Sequence, residues 1–502
     1  MKKKIFLVVF IILIYSLNFA AAPPKPPKAA SKAKTIKPAP PVVTQHAVKV
    51  KGKMLKYEAA AGCLEMKDEA GKQQALIFYV AYTKTGGDKT KRPVTFTFNG
   101  GPGSSSVWLH MGGLGPKRVN MSEDGLTFRP PYGYSDNEFT WLEFTDLVFI
   151  DPVSTGYSRP APGVAKKKFH GVKEDAASVG DFIRLYVTKN KRWLSPKFIC
   201  GESYGTTRAA GLSGYLQERY GMYIKGIVLV SAVLNFQNSR FAPGNDIPCA
   251  LFLPTYTATA YYHKKLAPKY QKDLKATLKE VEEWAMNDYL LALAKGDTLV
   301  GKERDKIIDK LSQYTGLSKE YIDNSDLRIW ARRFFSQLLR SEKHVVGRLD
   351  SRFKTEVRDA AGEFYEFDPS MSAIDGPFAA VINHYIREDL GCENDIPYEW
   401  ISSLWSWNWG DARRGYVNVA ETLRSAMARN PYLKVMVACG YYDVATPYFG
   451  AVYTFKHLGL PPSLTKNFVF TYYESGHMMY INKPSLKKLH DDALDFYRDA
   501  LK

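Results

Sequence analysis

Three features of the sequence predict an α/β fold, with a mostly parallel central sheet covered by helices and broken by a helical insertion. Short apolar runs rich in β-branched and aromatic residues alternate with segments of helical periodicity as far as residue 234. Between 235 and 410 the alternation stops and only helical patterns stand out. From 411 to 502 it resumes. Alternating strands and helices are the signature of parallel strands joined by crossovers, with both sheet faces covered.

The elements follow in order. Ala75–Tyr82 and Val94–Phe98 read as strands, separated by the turn signal Gly86-Gly87-Asp88. Leu147–Ile150 is a third strand, ending at Asp151-Pro152. Glu174–Asn190 carries helical spacing through Ala177, Phe182, Leu185 and Tyr186. Phe198–Cys200 is a strand, Tyr204–Tyr220 a helix and Gly226–Val233 another strand. Inside the expected insertion, 270–294, 303–314 and 327–339 read as helices, followed by Trp405, Trp407 and Trp409. Helix 417–428, strand 435–439, helix 449–457, strand 468–472 and a last helix from Pro484 complete the pattern.

The chain has 502 residues, 45% of them hydrophobic, enough for a large core. Its formal charge is +18. Residues 1–50 contribute half of that, with nine Lys and no Asp or Glu, so the excess is local and is not the footprint of a nucleic-acid binder. Lys2–Lys4, the apolar run Ile5–Leu17 and Ala20–Ala22 have the layout of a cleavable secretory signal, assigned to 1–22. Residues 23–48, rich in Pro, Lys and Ala, read as an extended linker. The expectation is an exported protein, periplasmic or extracellular, with no stable membrane anchor after cleavage. The catalytic domain is assigned to 49–234 and 411–502, and the insertion, a lid, to 235–410. Of Cys63, Cys200, Cys249, Cys392 and Cys439, Cys200 and Cys439 read as buried thiols, while Cys249 and Cys392 share the insertion and are able to pair. No zinc-binding spacing is present, and neither a metal nor another cofactor is expected.

The chemistry centres on Gly201-Glu-Ser203-Tyr-Gly205, placed between a strand and a helix. That context suits a nucleophile elbow, where glycines permit a sharp turn that presents the serine hydroxyl. Serine needs a base, and a base needs an acid to fix its tautomer. His477 and Asp443 each lie just beyond a strand, and the order Ser203, Asp443, His477 is the one that the α/β-hydrolase fold imposes. Asn99-Gly-Gly-Pro-Gly103 follows a strand and offers backbone donors for an oxyanion, together with the N–H of Tyr204.

Asn99–Gly103, Gly201–Gly205, Asp443, Gly476-His477-Met478 and Asp151–Ser158 together resemble the serine carboxypeptidases, in family order over most of the chain. The resemblance implies an exported bacterial member that releases C-terminal amino acids from peptides through an acyl-enzyme on Ser203. It places the oxyanion hole at the N–H groups of Gly101 and Tyr204, and a grip on the substrate carboxylate at Asn99, Gly100 and Glu202. A carboxyl that receives a carboxylate must be protonated, which favours acidic conditions. Two departures stand out. Ser104 occupies a position where many members have a cysteine, and no Asp or Glu lies between Gly100 and Asn120, where members often carry a second carboxylate, near Gly113. Strict exopeptidase behaviour and an acidic optimum are therefore in question. His110 is a candidate contributor to the site or a packed core histidine. The alternatives are an exported esterase, amidase or acyltransferase with the same triad, and a binding protein with an inert one. Whether the protein is a monomer or a homodimer is not legible.

Overall fold

The computed structural model describes residues 36–502 except 364, 405, 411, 413 and 414. The expected signal segment and the first half of the linker, residues 23–35, lie outside the described residues. The central sheet contains strands β1 (Val42–Val50), β2 (Lys53–Lys67), β3 (Gln73–Lys84), β4 (Val94–Phe98), β5 (Asp146–Ile150), β6 (Lys197–Glu202), β7 (Gly226–Val230), β8 (Lys434–Gly440) and β9 (Phe468–Tyr473). Their spatial order is β1-β2-β3-β5-β4-β6-β7-β8-β9, and a two-residue strand, Arg159–Pro160, pairs with β3. The first three strands run antiparallel to their neighbours. From β5 to β9 every pairing is parallel. β1 begins at Val42, so Val42–Val48 belong to the sheet and not to the linker expected to reach residue 48.

The parallel strands are short and apolar because both faces are buried. All five residues of β7, Gly-Ile-Val-Leu-Val, are inaccessible. Side chains alternate between two cores. Phe96, Ile199, Ile227 and Val435 face one core, shared with helices α1 (Val172–Lys189), α2 (Tyr204–Tyr220) and, later in the chain, the helix at Ala420–Arg429. Phe149, Phe198, Val228 and Met436 face the other, shared with the C-terminal helix Lys483–Ala500. There the ring of Tyr497 stacks on Phe198 at 4.0 Å, and each fully buried side chain of this kind contributes about 1.5–3 kcal/mol.

Between β7 and β8 the chain makes a long excursion. It carries α3 (Ile247–Tyr262), α4 (Leu274–Trp284), α5 (Gly301–Thr315) and α6 (Pro369–Glu388), with smaller helical turns between them. A third core, built around Phe252, Tyr256, Leu311, Tyr314 and Phe334, holds most of this excursion together. Helix α3 joins it to the sheet, with Leu251 and Ala258 in the first core and Phe252 and Tyr256 in the third. The span 270–294, expected as one helix, is helical without a break from Leu274, after an N-cap at Asp273, to Ala294: α4 widens into one π-helical turn at Ala285–Tyr289 and continues through Leu290–Ala294. All five cysteines are free, and the possible Cys249–Cys392 bridge is not formed. Among the described residues no helix is long and apolar enough to cross a membrane, and no His/Cys/Asp/Glu group is arranged to hold a metal.

Candidate active site

Ser203, Asp443 and His477 follow the C-terminal ends of β6, β8 and β9. The intervening strand β7 fixes their spacing, with Glu202 in register with Val230 and Val230 with Ala438. Ser203 sits at φ +60°, ψ −129°, a conformation that costs about 1–3 kcal/mol for a residue with a Cβ. The turn is held by the Ser203 N–H on Val230 O (3.0 Å), and Ser203 O accepts from the N–H (2.8 Å) and hydroxyl (2.6 Å) of Thr206. A side chain at Gly201 would overlap the carbonyl of Gly205, so the elbow closes only with glycine there.

His477 Nδ1 lies 2.7 Å from Asp443 Oδ2. A carboxylate only accepts, so Nδ1 carries the proton and Nε2 keeps its lone pair. Asp443 is inaccessible, and its Oδ1 accepts from the N–H groups of Ala445 (2.9 Å) and Thr446 (3.0 Å). The Thr446 hydroxyl donates to Oδ2 at 2.7 Å. Burial alone would lower the His477 pKa, but the Asp443 carboxylate, helped by Glu202, outweighs it and raises the value above the ordinary one. The imidazole is thereby prepared to hold a proton taken from a neighbouring hydroxyl.

The glycine-rich loop after β4 packs against the elbow. A Cβ on Gly100 would come within 2.5 Å of the Tyr204 nitrogen, so only glycine lets this backbone lie so close. Gly101 has φ +103°. Tyr204 opens helix α2, where the partial positive charge of the helix terminus favours an anion.

Asn99 and Glu202 are joined in a buried chain. Asn99 Nδ2 donates to Glu202 Oε1 at 2.9 Å, and Asn99 Oδ1 accepts from Leu109 N at 3.1 Å. The hydroxyl of Tyr480 donates to Glu202 Oε2 at 2.6 Å. Burial pushes the Glu202 carboxyl up to about 7, against the lowering influence of His477, Tyr480 and Asn99. Tyr480 also packs against the segment near Gly113. A Cβ on Gly113 would meet Tyr480 Cβ and Cγ at 2.9 Å, so this position accepts no side chain beside the tyrosine as it stands.

The sequence of the serine carboxypeptidase family matches this chain over residues 50–485. The chain belongs to that family. A serine carboxypeptidase-like protein of Arabidopsis thaliana (number 36 of its series) is 28% identical over 188 residues, 36% of this chain and 35% of its own length. Carboxypeptidase Y of Schizosaccharomyces pombe is 29% identical over 145 residues, covering 28% of this chain and 13% of its own length. A pheromone-processing carboxypeptidase of Saccharomyces cerevisiae is 32% identical over 148 residues, covering 28% and 19%. The chain thus spans about a third or less of the length of these curated relatives. The fold is that of the α/β-hydrolases, as the order of motifs predicts.

Other positions singled out in this family member are structural. His110 is inaccessible, stacks on Phe149 at 4.2 Å and shares a 2.6 Å hydrogen bond with the Tyr82 hydroxyl, and burial pushes its pKa down to about 3. It is a packed core histidine. Ser104 Oγ accepts from the Trp108 indole at 3.1 Å. Asp151 accepts from both the N–H and the hydroxyl of Ser106 at 2.8 Å, tying the 151–158 segment to the glycine-rich loop. Tyr480 and Thr446 are the site residues that sequence reasoning missed. Each is near a motif, three residues beyond His477 and Asp443, but carries no motif of its own.

Proposed function

We propose that the protein is an exported serine carboxypeptidase that removes C-terminal amino acids from peptides through an acyl-enzyme on Ser203. The observation that carries this reading is the 2.7 Å His477–Asp443 pair beside an elbow that holds Ser203 at positive φ, within a chain of the serine carboxypeptidase family. His477 Nε2 takes the Ser203 proton as Oγ attacks the scissile carbonyl. Asp443 stabilises the imidazolium that forms. The N–H groups of Gly101 and Tyr204 receive the oxyanion. The imidazolium then protonates the leaving amine, and water repeats the sequence to release the shortened peptide. Export rests on the sequence of residues 1–22, and the excursion between β7 and β8 serves as the lid over the cleft.

Recognition of the substrate's C-terminus is assigned to Asn99, Gly100 and Glu202. Glu202 receives a carboxylate only when it is protonated, because two bare negative charges repel. A purified chain from Val42 onward, offered an N-blocked dipeptide as free acid and as amide between pH 4 and 8, tests this. The free acid is expected to be cleaved about 100-fold faster, since a charged hydrogen-bonded group contributes about 2–3 kcal/mol. Equal cleavage of both, or ester cleavage alone, removes the carboxylate grip. The reading then becomes an esterase, amidase or acyltransferase, which the engagement of both Glu202 oxygens by Asn99 and Tyr480 favours.

A pH profile follows from the same groups. Cleavage requires neutral His477, whose raised pKa moves the acid limb above the ordinary value of about 6.5. It also requires neutral Glu202, which deprotonates as the pH passes about 7. The kcat/KM profile for the free acid is therefore a narrow bell near neutrality. Tyr480→Phe removes a donor that stabilises ionised Glu202, so the Glu202 pKa rises further and the alkaline limb moves to higher pH, by about one unit. Glu202→Gln stays neutral and loses the alkaline limb in KM. An optimum below pH 5, or a Tyr480→Phe profile identical to the parent, contradicts this assignment.

A further inference from the structure

A short stretch of the excursion between β7 and β8, residues 348–352, bonds to both loops that carry the acid and the base. The Ser351 N–H and hydroxyl donate to Tyr442 O at 3.0 and 3.1 Å, and the Val444 N–H donates to Arg348 O at 3.1 Å. These two contacts bracket Asp443. On the other side, the His477 N–H donates to Leu349 O at 2.6 Å, and the Gly476 N–H donates to Asp350 Oδ2 at 3.0 Å. Arg352 Nη2 lies 2.7 Å from Asp350 Oδ2 and donates to Ser475 Oγ at 3.1 Å. Asp350 and Arg352 are buried, with side chains 3% and 4% exposed. Arg352 further donates to Asp124 O at 3.2 Å.

The fit is close. A Cβ on Gly476 would overlap Asp350, so the glycine before His477 is what lets the ion pair lie beneath the histidine loop. The stretch is in turn fixed to helix α3, through Thr259 Oγ1 on Ser351 Oγ at 2.6 Å and His263 Nε2 on Ser351 O at 2.7 Å. Thr259, Asp350, Ser351 and Arg352 are buried and polar, while His263 is half-buried. Such a network is costly unless fully satisfied, and it defines one arrangement of the backbone it holds.

We propose that residues 348–352 are a clasp that sets His477 against Asp443, with Asp350 and Arg352 as positioning residues. The inserted helices are then part of the catalytic apparatus as well as a cover. The clasp holds the 2.7 Å Nδ1–Oδ2 contact from both ends: Ser351 and Arg348 fix the acid loop, while Leu349, Asp350 and Arg352 fix the base loop. Misplacement of a catalytic group by about 1 Å costs up to about 100-fold in rate, so a slackened clasp acts on the chemical step and not on substrate affinity. This inference rests on the reading of Ser203, Asp443 and His477 as a working triad.

The test compares the full chain with Asp350→Asn/Arg352→Met, which removes both buried charges together, and with Ser475→Ala, which removes one hydrogen bond. Three readouts are taken: kcat and KM on the N-blocked dipeptide acid, the rate of Ser203 labelling by a fluorophosphonate, and the low-field proton resonance of His477 Nδ1–H. The double variant is expected to keep cooperative unfolding, lose about 10- to 100-fold in kcat and labelling rate with KM changed less than twofold, and show a broadened or upfield-shifted Nδ1–H signal. Ser475→Ala is expected to lose about threefold in kcat, and it supplies the measurement if the double variant does not fold. A folded variant with parental kcat and an unchanged resonance overturns the clasp, as does a loss of activity in Ser475→Ala that is matched by its loss of folded protein. Failure of the parent chain itself to label would overturn the triad instead, so the two failures are distinguishable.

Discussion

Ser203→Ala is expected to lower kcat on a peptide substrate by about a millionfold, leaving about 10³-fold over the uncatalysed reaction. The substitution removes one oxygen and nothing that holds the elbow. The Ser203 turn is fixed by main-chain contacts to Val230 and Thr206 and by the absence of a Cβ at Gly201, none of which involves the hydroxyl. The midpoint of thermal unfolding should therefore stay within about 3 °C, because the change lies within the ordinary range for a site with no lost buried partner. What remains is the oxyanion site and substrate binding, which explains the residual rate. Adding His477→Ala to Ser203→Ala should cost no more than a further twofold, since a base with no nucleophile to activate contributes nothing. Steady-state kinetics of the single and double variants, with circular dichroism to show retained structure, check the prediction. A Ser203→Ala protein with more than 1% of parental activity would place the nucleophile elsewhere.

The sequence disclosed the parts of the site that are local. Ser203, Asp443 and His477 each end a strand within a recognisable run of residues, and the sheet order brings the ends of β6, β8 and β9 together as alternating strands and helices require. The boundaries of Tyr204–Tyr220 were legible because an elbow opens that helix and Gly221, at φ +59°, closes it. Helices α3 and α6 were not legible. Helix α3 is buried on nearly every face, so it shows no apolar stripe, and it carries Pro254 in its interior. Helix α6 contains Pro377. Strand β1 was read as linker because Pro and Lys dominate the residues before it, while its own alternation is half polar. Tyr480, Asp350 and Arg352 were hidden for a different reason. Their partners are 278, 126 and 123 residues away in the chain, and no periodicity or motif records such a contact. The absence of an acid near Gly113 was visible in the sequence, but the tyrosine packed against Gly113 was not.

Asp443→Asn is expected to cost about 10⁴-fold in kcat although it replaces one atom by another of similar size. The main chain decides which way the new amide points. Oδ1 of Asp443 accepts from the N–H groups of Ala445 and Thr446, and only the carbonyl oxygen of an asparagine can take that place. The amide nitrogen then occupies the Oδ2 position, 2.7 Å from His477 Nδ1. Two N–H donors cannot face each other at that distance, so the imidazole must present a lone pair at Nδ1 and carry its proton on Nε2. That nitrogen can no longer accept the Ser203 proton. The same change removes the charge that raises the His477 pKa, which leaves burial unopposed by its main partner, so the imidazolium becomes harder to form at any pH where the protein is folded. The ¹⁵N shifts of a labelled His477 give the direct check: protonated Nδ1 in the parent, protonated Nε2 in the variant. A loss of less than tenfold, or an unchanged tautomer, would mean that Asp443 does not orient the base. The clasp at 348–352 acts on this same contact from outside the triad, so its variants should be nearly silent in the Asp443→Asn background, where there is no productive tautomer left to align.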